Sequence, residues 1–445
     1  MSVVTHDFWT ARSVAGFRHW EIEFDKDGVL VGDDSLVTAI DTDPPVELLL
    51  FSHGWNASLD SARRLSADMF ALIAQQLAPT RAADTAFVTV RWPALLFPED
   101  EPAPDGPTVS AARGASVAES SQHQVRPASP SSGAELAVAL APAFPDQQAE
   151  LARIGVLLDS RPADPARLTE LHRLTSGLVT SPNNAVADDG ESIARIGRTR
   201  QVLESMAALA AGAGGNTQAL GLFDTLWDGA RELLRVLSYY EMKSRAGVIG
   251  QAGLGPLLRR LRLVRPDLRV HLIGHSFGAR LISFALKALP PAPTTPVKSL
   301  LLIQAACSHF SFAPVLPFDP RRSGVLASVA DRVDGPLLAT FSAADRAIGW
   351  WYPGANMLAR RDNEALEDVG FRWGGLGYDG FQHSGVVELP LGPVGTSYRW
   401  QPGTFYRLDA NQVINHNLSW LAGAHSDIRK PEIAWAAVTA AGLGL

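Results

Sequence analysis

Leu268-Arg-Val-His-Leu-Ile-Gly-His-Ser-Phe-Gly-Ala-Arg280 reads as an apolar strand that turns sharply at Gly274-His275-Ser276-Phe277-Gly278 and leaves as a helix. A serine on so tight a strand-to-helix turn takes φ > 0 with backbone crowding it on both sides. Glycine is therefore needed two residues before it and two after. Gly274 and Gly278 meet that need, which makes Ser276 the candidate nucleophile. The flanks agree: Val270, Leu272 and Ile273 form a short β-prone run, and Leu281, Ile282, Ala285, Leu286 and Leu289 recur at helical spacing. The bland alternative, a structural glycine turn with a solvent-facing serine, is disfavoured by that order of strand, turn and helix.

Upstream, Val46 to Phe51 and Ala86 to Trp92 are short apolar runs of the kind buried in parallel sheets. Between them, Leu65, Met69, Leu72, Ile73 and Leu77 share one helical face over 61–77, which completes a βαβ unit. Phe17 to Phe24 alternates and predicts a half-exposed edge strand. Downstream, strands are expected at 298–305, 336–342 and 404–408, with a final helix from Pro431. The alternation predicts an α/β fold with a doubly wound, mostly parallel sheet.

After Pro93 the character changes. The stretch 101–135 is rich in Pro, Ala, Ser and Gly and is expected to be disordered. Helical stretches follow at about 146–159 and 164–178, and a strongly amphipathic helix at about 222–240. The expected organisation is thus a core in two parts, 1–93 and 231–445, with a helical and low-complexity insertion over 94–230 as a candidate cap.

With 445 residues, 46% of them hydrophobic and 19% charged, the chain is large enough for one α/β core plus an insertion. The net charge of −7 gives no general attraction to nucleic acid or anionic lipid. The local cluster Arg259, Arg260, Arg262 and Arg265 reads as a solvated helix face. The single cysteine, Cys307, excludes an intramolecular disulfide and a multi-cysteine metal site, and is expected in the core. No run of eighteen apolar residues and no secretory leader pattern occurs, so no transmembrane segment and a cytoplasmic location are expected.

A serine hydroxyl needs an imidazole to take its proton and an acid to orient that imidazole. After the elbow, His309, His383, His416 and His425 are the candidates. His425, in Gly423-Ala-His-Ser-Asp-Ile just before the last helix, is preferred, with His416 next. His271 reads as a strand side chain and His275 as a packed neighbour of the serine. Asp345 directly follows the 336–342 strand, where a carboxylate can meet a histidine across the top of the sheet; helix capping is its alternative role. Asp427 is too close to His425 in sequence, and Asp331 and Asp334 precede the strand. Two backbone N–H groups must face the developing oxyanion. One is expected from Phe277; the second is expected from Trp55, in Ser52-His53-Gly54-Trp55-Asn56.

Leu-Phe-Ser-His-Gly-Trp-Asn (50–56), Arg-Trp-Pro (91–93), Tyr-Glu-Met-Lys-Ser-Arg-Ala-Gly (240–247), the elbow, Ser-Ala-Ala-Asp (342–345) and Gly-Ala-His-Ser-Asp-Ile (423–428) together resemble the α/β-hydrolase superfamily. The likeness is to its bacterial serine esterases, covers about two thirds of the chain, and leaves 94–220 unmatched. The resemblance implies a hydrolase fold with Ser276, Asp345 and His425 as catalytic residues, and no metal or organic cofactor. It also implies a small-molecule or lipid-like acyl substrate, with esterase, lipase, thioesterase and peptidase activity all open. The rival from another class is a catalytically inactive hydrolase fold used for binding or scaffolding. The aromatic residues Trp350, Trp351, Tyr352, Phe371, Trp373, Tyr378 and Phe381 either line an acyl pocket or pack a long loop onto the core.

Overall fold

The computed structural model describes residues 12–32, 35–54, 59–94, 131–178, 198–212, 221–351, 374–418 and 422–444. In chain order its strands are β1 (Arg12–Val14), β2 (Phe17–Glu23), β3 (Glu47–Ser52), β4 (Thr85–Arg91), β5 (Arg269–His275), β6 (Val297–Ile303), β7 (Leu337–Phe341), β8 (Val387–Pro390) and β9 (Phe405–Asp409). They form one sheet in the order β1-β2-β4-β3-β5-β6-β7-β9-β8. Only the β1–β2 pair is antiparallel; every other neighbouring pair is parallel.

The helices are α1 (Ser35–Thr42), α2 (Leu59–Ala74), α3 (Gly133–Leu140), α4 (Gln148–Ser160), α5 (Pro165–Gly177), α6 (Thr199–Gly212), α7 (Leu222–Val248), α8 (Gly255–Val264), α9 (Phe277–Ala285), the single turn α10 (Leu376–Asp379) and α11 (Pro431–Ala440). They cover both faces of the sheet because the central strands are apolar on both. In β3, Leu48 and Leu50 join one buried cluster while Leu49 and Phe51 join the other. The first cluster takes in α1 through Leu36 and Ile40, α7 through Leu233 and Leu237, α8 through Leu258 and α9 through Leu281. The second takes in α2 through Met69, Phe70 and Ile73, and α11 through Ile433 and Val438. Each such side chain contributes roughly 1.5–3 kcal/mol by leaving water.

The path from β3 to β4 runs toward one edge of the sheet, and β5 then starts on the other side of β3. The gap between the C-terminal ends of β3 and β5 is therefore a topological switch point, where open α/β sheets leave a crevice. Ser52-His53-Gly54 leaves β3 there, and Ser276 leaves β5 there.

Four features differ from the sequence reading. β2 is not an edge strand: Arg12–Val14 pairs outside it, and Phe17, Trp20 and Ile22 are buried. Residues 101–130 of the expected disordered stretch lie outside the described residues. Positions 132–135, however, open α3 with a capping box in which Ser132 and Glu135 satisfy each other's backbone N–H. α6, Thr199–Gly212, forms where no helix was expected, and α7 extends eight residues beyond the expected 240, to Val248. Leu136, Leu140, Leu151, Ile154, Leu171, Leu203 and Met206, from α3 to α6, belong to the same buried cluster as one face of the sheet. Cys307 is buried. Among the described residues, no helix is long and apolar enough to cross a membrane.

Candidate active site

The turn at Ser276 has φ 56° and ψ −121°, a conformation that a residue with a Cβ adopts only under strain, at a cost of about 1–3 kcal/mol. The glycines permit it by leaving space for backbone. A Cβ on Gly274 would sit 2.7 Å from Cα of Ala279, and one on Gly278 would collide with the carbonyls of Ser52 and His53. Gly278 thus lets the first turn of α9 rest directly on the end of β3. Gly54 does the reciprocal service: a Cβ there would lie 2.6 Å from Cβ of Ser276. The strained serine is held by Ser276 N–H donating to Ile303 O at 3.0 Å, while its carbonyl accepts from Ala279 N–H at 3.1 Å and Ala306 N–H at 3.2 Å.

Three side chains that the sequence singled out lie in one hydrogen-bonded line. His425 Nε2 is 2.9 Å from Ser276 Oγ, and His425 Nδ1 is 2.8 Å from Asp345 Oδ2. Asp345 is fully buried just beyond β7, and its carboxylate is solvated by donors instead of water. Oδ2 accepts from Gln304 Nε2 at 2.9 Å as well as facing His425, and Oδ1 accepts from Ile348 N–H at 3.0 Å. The last contact is the capping role considered for Asp345, so the residue caps a turn with one oxygen and holds the histidine with the other. With Nδ1–H directed at the carboxylate, the Nε2 lone pair faces the serine hydroxyl, which is the tautomer a general base needs.

Gln304 was not foreseen, although a glutamine closing the apolar run Leu300 to Ile303 is a visible signal. It is fully buried at φ 44°, again an unfavourable backbone for a non-glycine residue. Thr340 fixes it twice: Gln304 N–H donates to Thr340 Oγ1 at 3.1 Å, and the threonine hydroxyl donates to Gln304 Oε1 at 2.9 Å. Its two amide hydrogens then reach Asp345 and, at 2.8 Å, the carbonyl of Gly377.

His275 does more than pack. Its Nε2–H donates to the backbone carbonyl of His425 at 3.0 Å, and the two rings lie 4.9 Å apart. Burial, reinforced by the neighbouring His425, pushes its pKa well below the ordinary histidine range. A neutral ring there matters, because a second cation would oppose a positive charge on His425. His53 anchors the loop after β3. Its Nδ1–H donates to Gly54 O at 2.9 Å, its Nε2 accepts from Trp92 N–H at 3.3 Å, and its ring stacks on the Trp92 indole. Complete burial lowers its pKa to about 4.

The other histidines weighed from the sequence are engaged elsewhere. His416 is largely exposed and pairs with Asp427 at 3.2 Å. Asp427 also accepts the N–H of Asn415 and His416 and pairs with Lys430. His309 pairs with Asp379 at 2.8 Å, and His383 packs against the Phe405 ring. His271 bridges strands, contacting Ser299 and Glu47 at 2.8 Å each.

Phe277, expected to supply one oxyanion donor, is the first residue of α9, where backbone N–H groups point out of the helix start. Trp55, expected to supply the other, lies outside the described residues, as do Tyr352, Phe371 and Trp373. Phe381 packs edge-on against Phe312 and Phe405 as part of the core, and the Tyr378 ring fills the space above Gly349. In comparisons with models of known protein families, with characterised proteins and with solved structures, the chain matches none.

Proposed function

We propose that the protein is a serine hydrolase of the α/β-hydrolase type that cleaves a carboxylic ester through an acyl-enzyme intermediate. The observation that carries this reading is the continuous line from Asp345 Oδ2 through His425 to Ser276 Oγ, with spacings of 2.8 and 2.9 Å, on an elbow at the switch point of the sheet. Ser276 Oγ adds to the substrate carbonyl carbon as its proton passes to His425 Nε2. Asp345, fully buried and held by Gln304 and Ile348 N–H, stabilises the resulting imidazolium and keeps Nδ1 protonated. The N–H of Phe277 serves the oxyanion, the positive end of the α9 dipole adds to it, and the second donor is the one expected from the sequence at Trp55. When the tetrahedral intermediate collapses, His425 returns the proton to the departing alcohol. Water, deprotonated by the same nitrogen, then releases the acid.

The test is covalent labelling of the intact chain with a fluorophosphonate, located by mass spectrometry, followed by turnover of p-nitrophenyl esters of increasing acyl length. Modification of Ser276 and turnover of at least one ester are expected. A folded protein left unlabelled at Ser276 would refute the reading.

A further inference from the structure

Two of the arginines read from sequence as a solvated helix face, exposed Arg259 and half-buried Arg262, also border a cleft. Arg259 and Arg262 of α8 line a cleft of about 500 Å³ together with Lys287, just past the end of α9, and Arg332, ahead of β7. Apart from Thr294, the other lining residues among those described are apolar, among them Leu263 and Leu289, and none of these is a carboxylate. Four cations around one cleft repel one another, in a chain whose net charge is −7. Burial, together with the charge of Arg280, pushes the Lys287 pKa down.

The fold nevertheless holds three of them, Arg262, Arg332 and Lys287, in place. Arg262 Nε donates to Thr294 O at 3.1 Å. Arg332 Nη1 donates to the carbonyls of Leu286, Lys287 and Leu289 at 3.2, 2.6 and 2.8 Å, and its buried Nε has no hydrogen-bond partner among the described residues. The Lys287 ammonium lies 4.6 Å from the centre of the Phe284 ring. Positions fixed in advance lower the ordering cost of taking up an anion, and guanidinium forks match the oxygens of a phosphate.

We propose that this cleft binds a phosphomonoester or diphosphate group, carried by a soluble small molecule or by a lipid headgroup, with the apolar lining receiving the adjoining part of the ligand. The cleft stands at the N-terminal end of β5, a strand length of about 20 Å from Ser276. It therefore does not rest on the hydrolase reading and can fail or hold independently of it.

The test uses the full chain and the double substitution Arg259→Gln with Lys287→Gln, which removes two charges and none of the backbone contacts above. Calorimetric titration with inorganic pyrophosphate and with glycerol 3-phosphate measures the soluble source. Flotation with phosphatidylcholine vesicles, with and without phosphatidic acid, measures the lipid source. Binding by the unmodified chain is expected to weaken at least tenfold in the double variant, at unchanged melting temperature, and to fall as salt rises. Loss of soluble binding assigns a soluble ligand, and loss of vesicle binding assigns a headgroup. No binding in either arm, or equal binding by both proteins, would overturn the proposal.

Discussion

Replacing Asp345 by asparagine removes one charge and one acceptor from a site built around two acceptors. Ile348 N–H points at Oδ1, while Gln304 Nε2 and His425 Nδ1 point at Oδ2. An asparagine has one accepting oxygen and one donating nitrogen. With its oxygen in the Oδ2 position, His425 keeps its tautomer, but the amide nitrogen meets Ile348 N–H. With the nitrogen there, Ile348 is satisfied, but the amide donates to His425 Nδ1, the ring proton moves to Nε2, and Gln304 meets a second donor. Each orientation leaves one buried mismatch, so neither is favoured by hydrogen-bond count, and stability falls by about 1–3 kcal/mol in both.

The loss of rate is larger than the loss of stability. Both orientations lack the charge that steadies the imidazolium, and the second also lacks the base. The corresponding exchange in the general Ser-His-Asp template costs about 10⁴ in kcat, or roughly 5.4 kcal/mol of barrier. Here the expected fall in ester turnover or fluorophosphonate labelling is about 10³–10⁴-fold, in a protein that still folds and melts at a lower temperature. Turnover within tenfold of the unmodified protein would show that Asp345 does not orient His425.

Ser276→Ala and His425→Ala should each abolish turnover while His416→Ala leaves it near normal, as steady-state kinetics on one ester would show; the opposite behaviour of the two histidines would reassign the base. Gln304→Leu should lower the melting temperature and slow labelling, and Gln304→Glu should not rescue it, because a second carboxylate would face Asp345; recovery in the glutamate variant would refute the donor role. Gly278→Ala should cost about 3 kcal/mol or more, because the added methyl meets two backbone carbonyls that cannot rotate away, and chemical denaturation would measure it. His53 has a folded pKa of about 4 against an ordinary 6.5, so the unfolded chain binds more protons between those values. Its contribution of about 3 kcal/mol is therefore complete above pH 6.5 and lost as pH falls toward 4; His53→Gln should flatten, without removing, that slope in unfolding experiments, since the pKa of His275 is also lowered.

The elbow was legible because everything it needs is local: two glycines, a strand before it and a helix after it, all within about twenty residues. Asp345 and His425 were legible for a related reason, since each is the polar residue that follows an apolar strand or precedes a helix. What the sequence concealed depends on partners far along the chain. Nothing in Arg12 to Val14 marks a strand until Phe17 to Glu23 lies beside it, and β8, with mostly exposed side chains, has no apolar alternation to reveal it. α6 was not expected from the sequence, since small residues fill its C-terminal half, yet Leu203 and Met206 find the buried cluster. Gln304 became meaningful only when β6 and β7 aligned it with Thr340 and Asp345.

The acid and the histidine are also joined through their backbones, which explains how a residue on a loop can be placed as accurately as one on a strand. Asp345 and Gly423 form an antiparallel bridge, with Ala424 N–H donating to Ala344 O at 2.9 Å and Ala347 N–H to Ala422 O at 3.3 Å. The bridge requires Gly423 at φ +61°, where an added Cβ would lie 2.5 Å from Ala344 O. On its other side the His425 carbonyl is fixed by His275, the residue next to the serine. The histidine loop is therefore tied to the acid's loop through main chain and to the elbow through the His275 ring, so the spacing from carboxylate to imidazole to hydroxyl is fixed from both sides. Under the proposed mechanism, a geometry defined in this way needs little reorganisation when the serine proton passes to His425. That is the property expected of a preorganised acyl-transfer site, and a merely packed histidine would not require it.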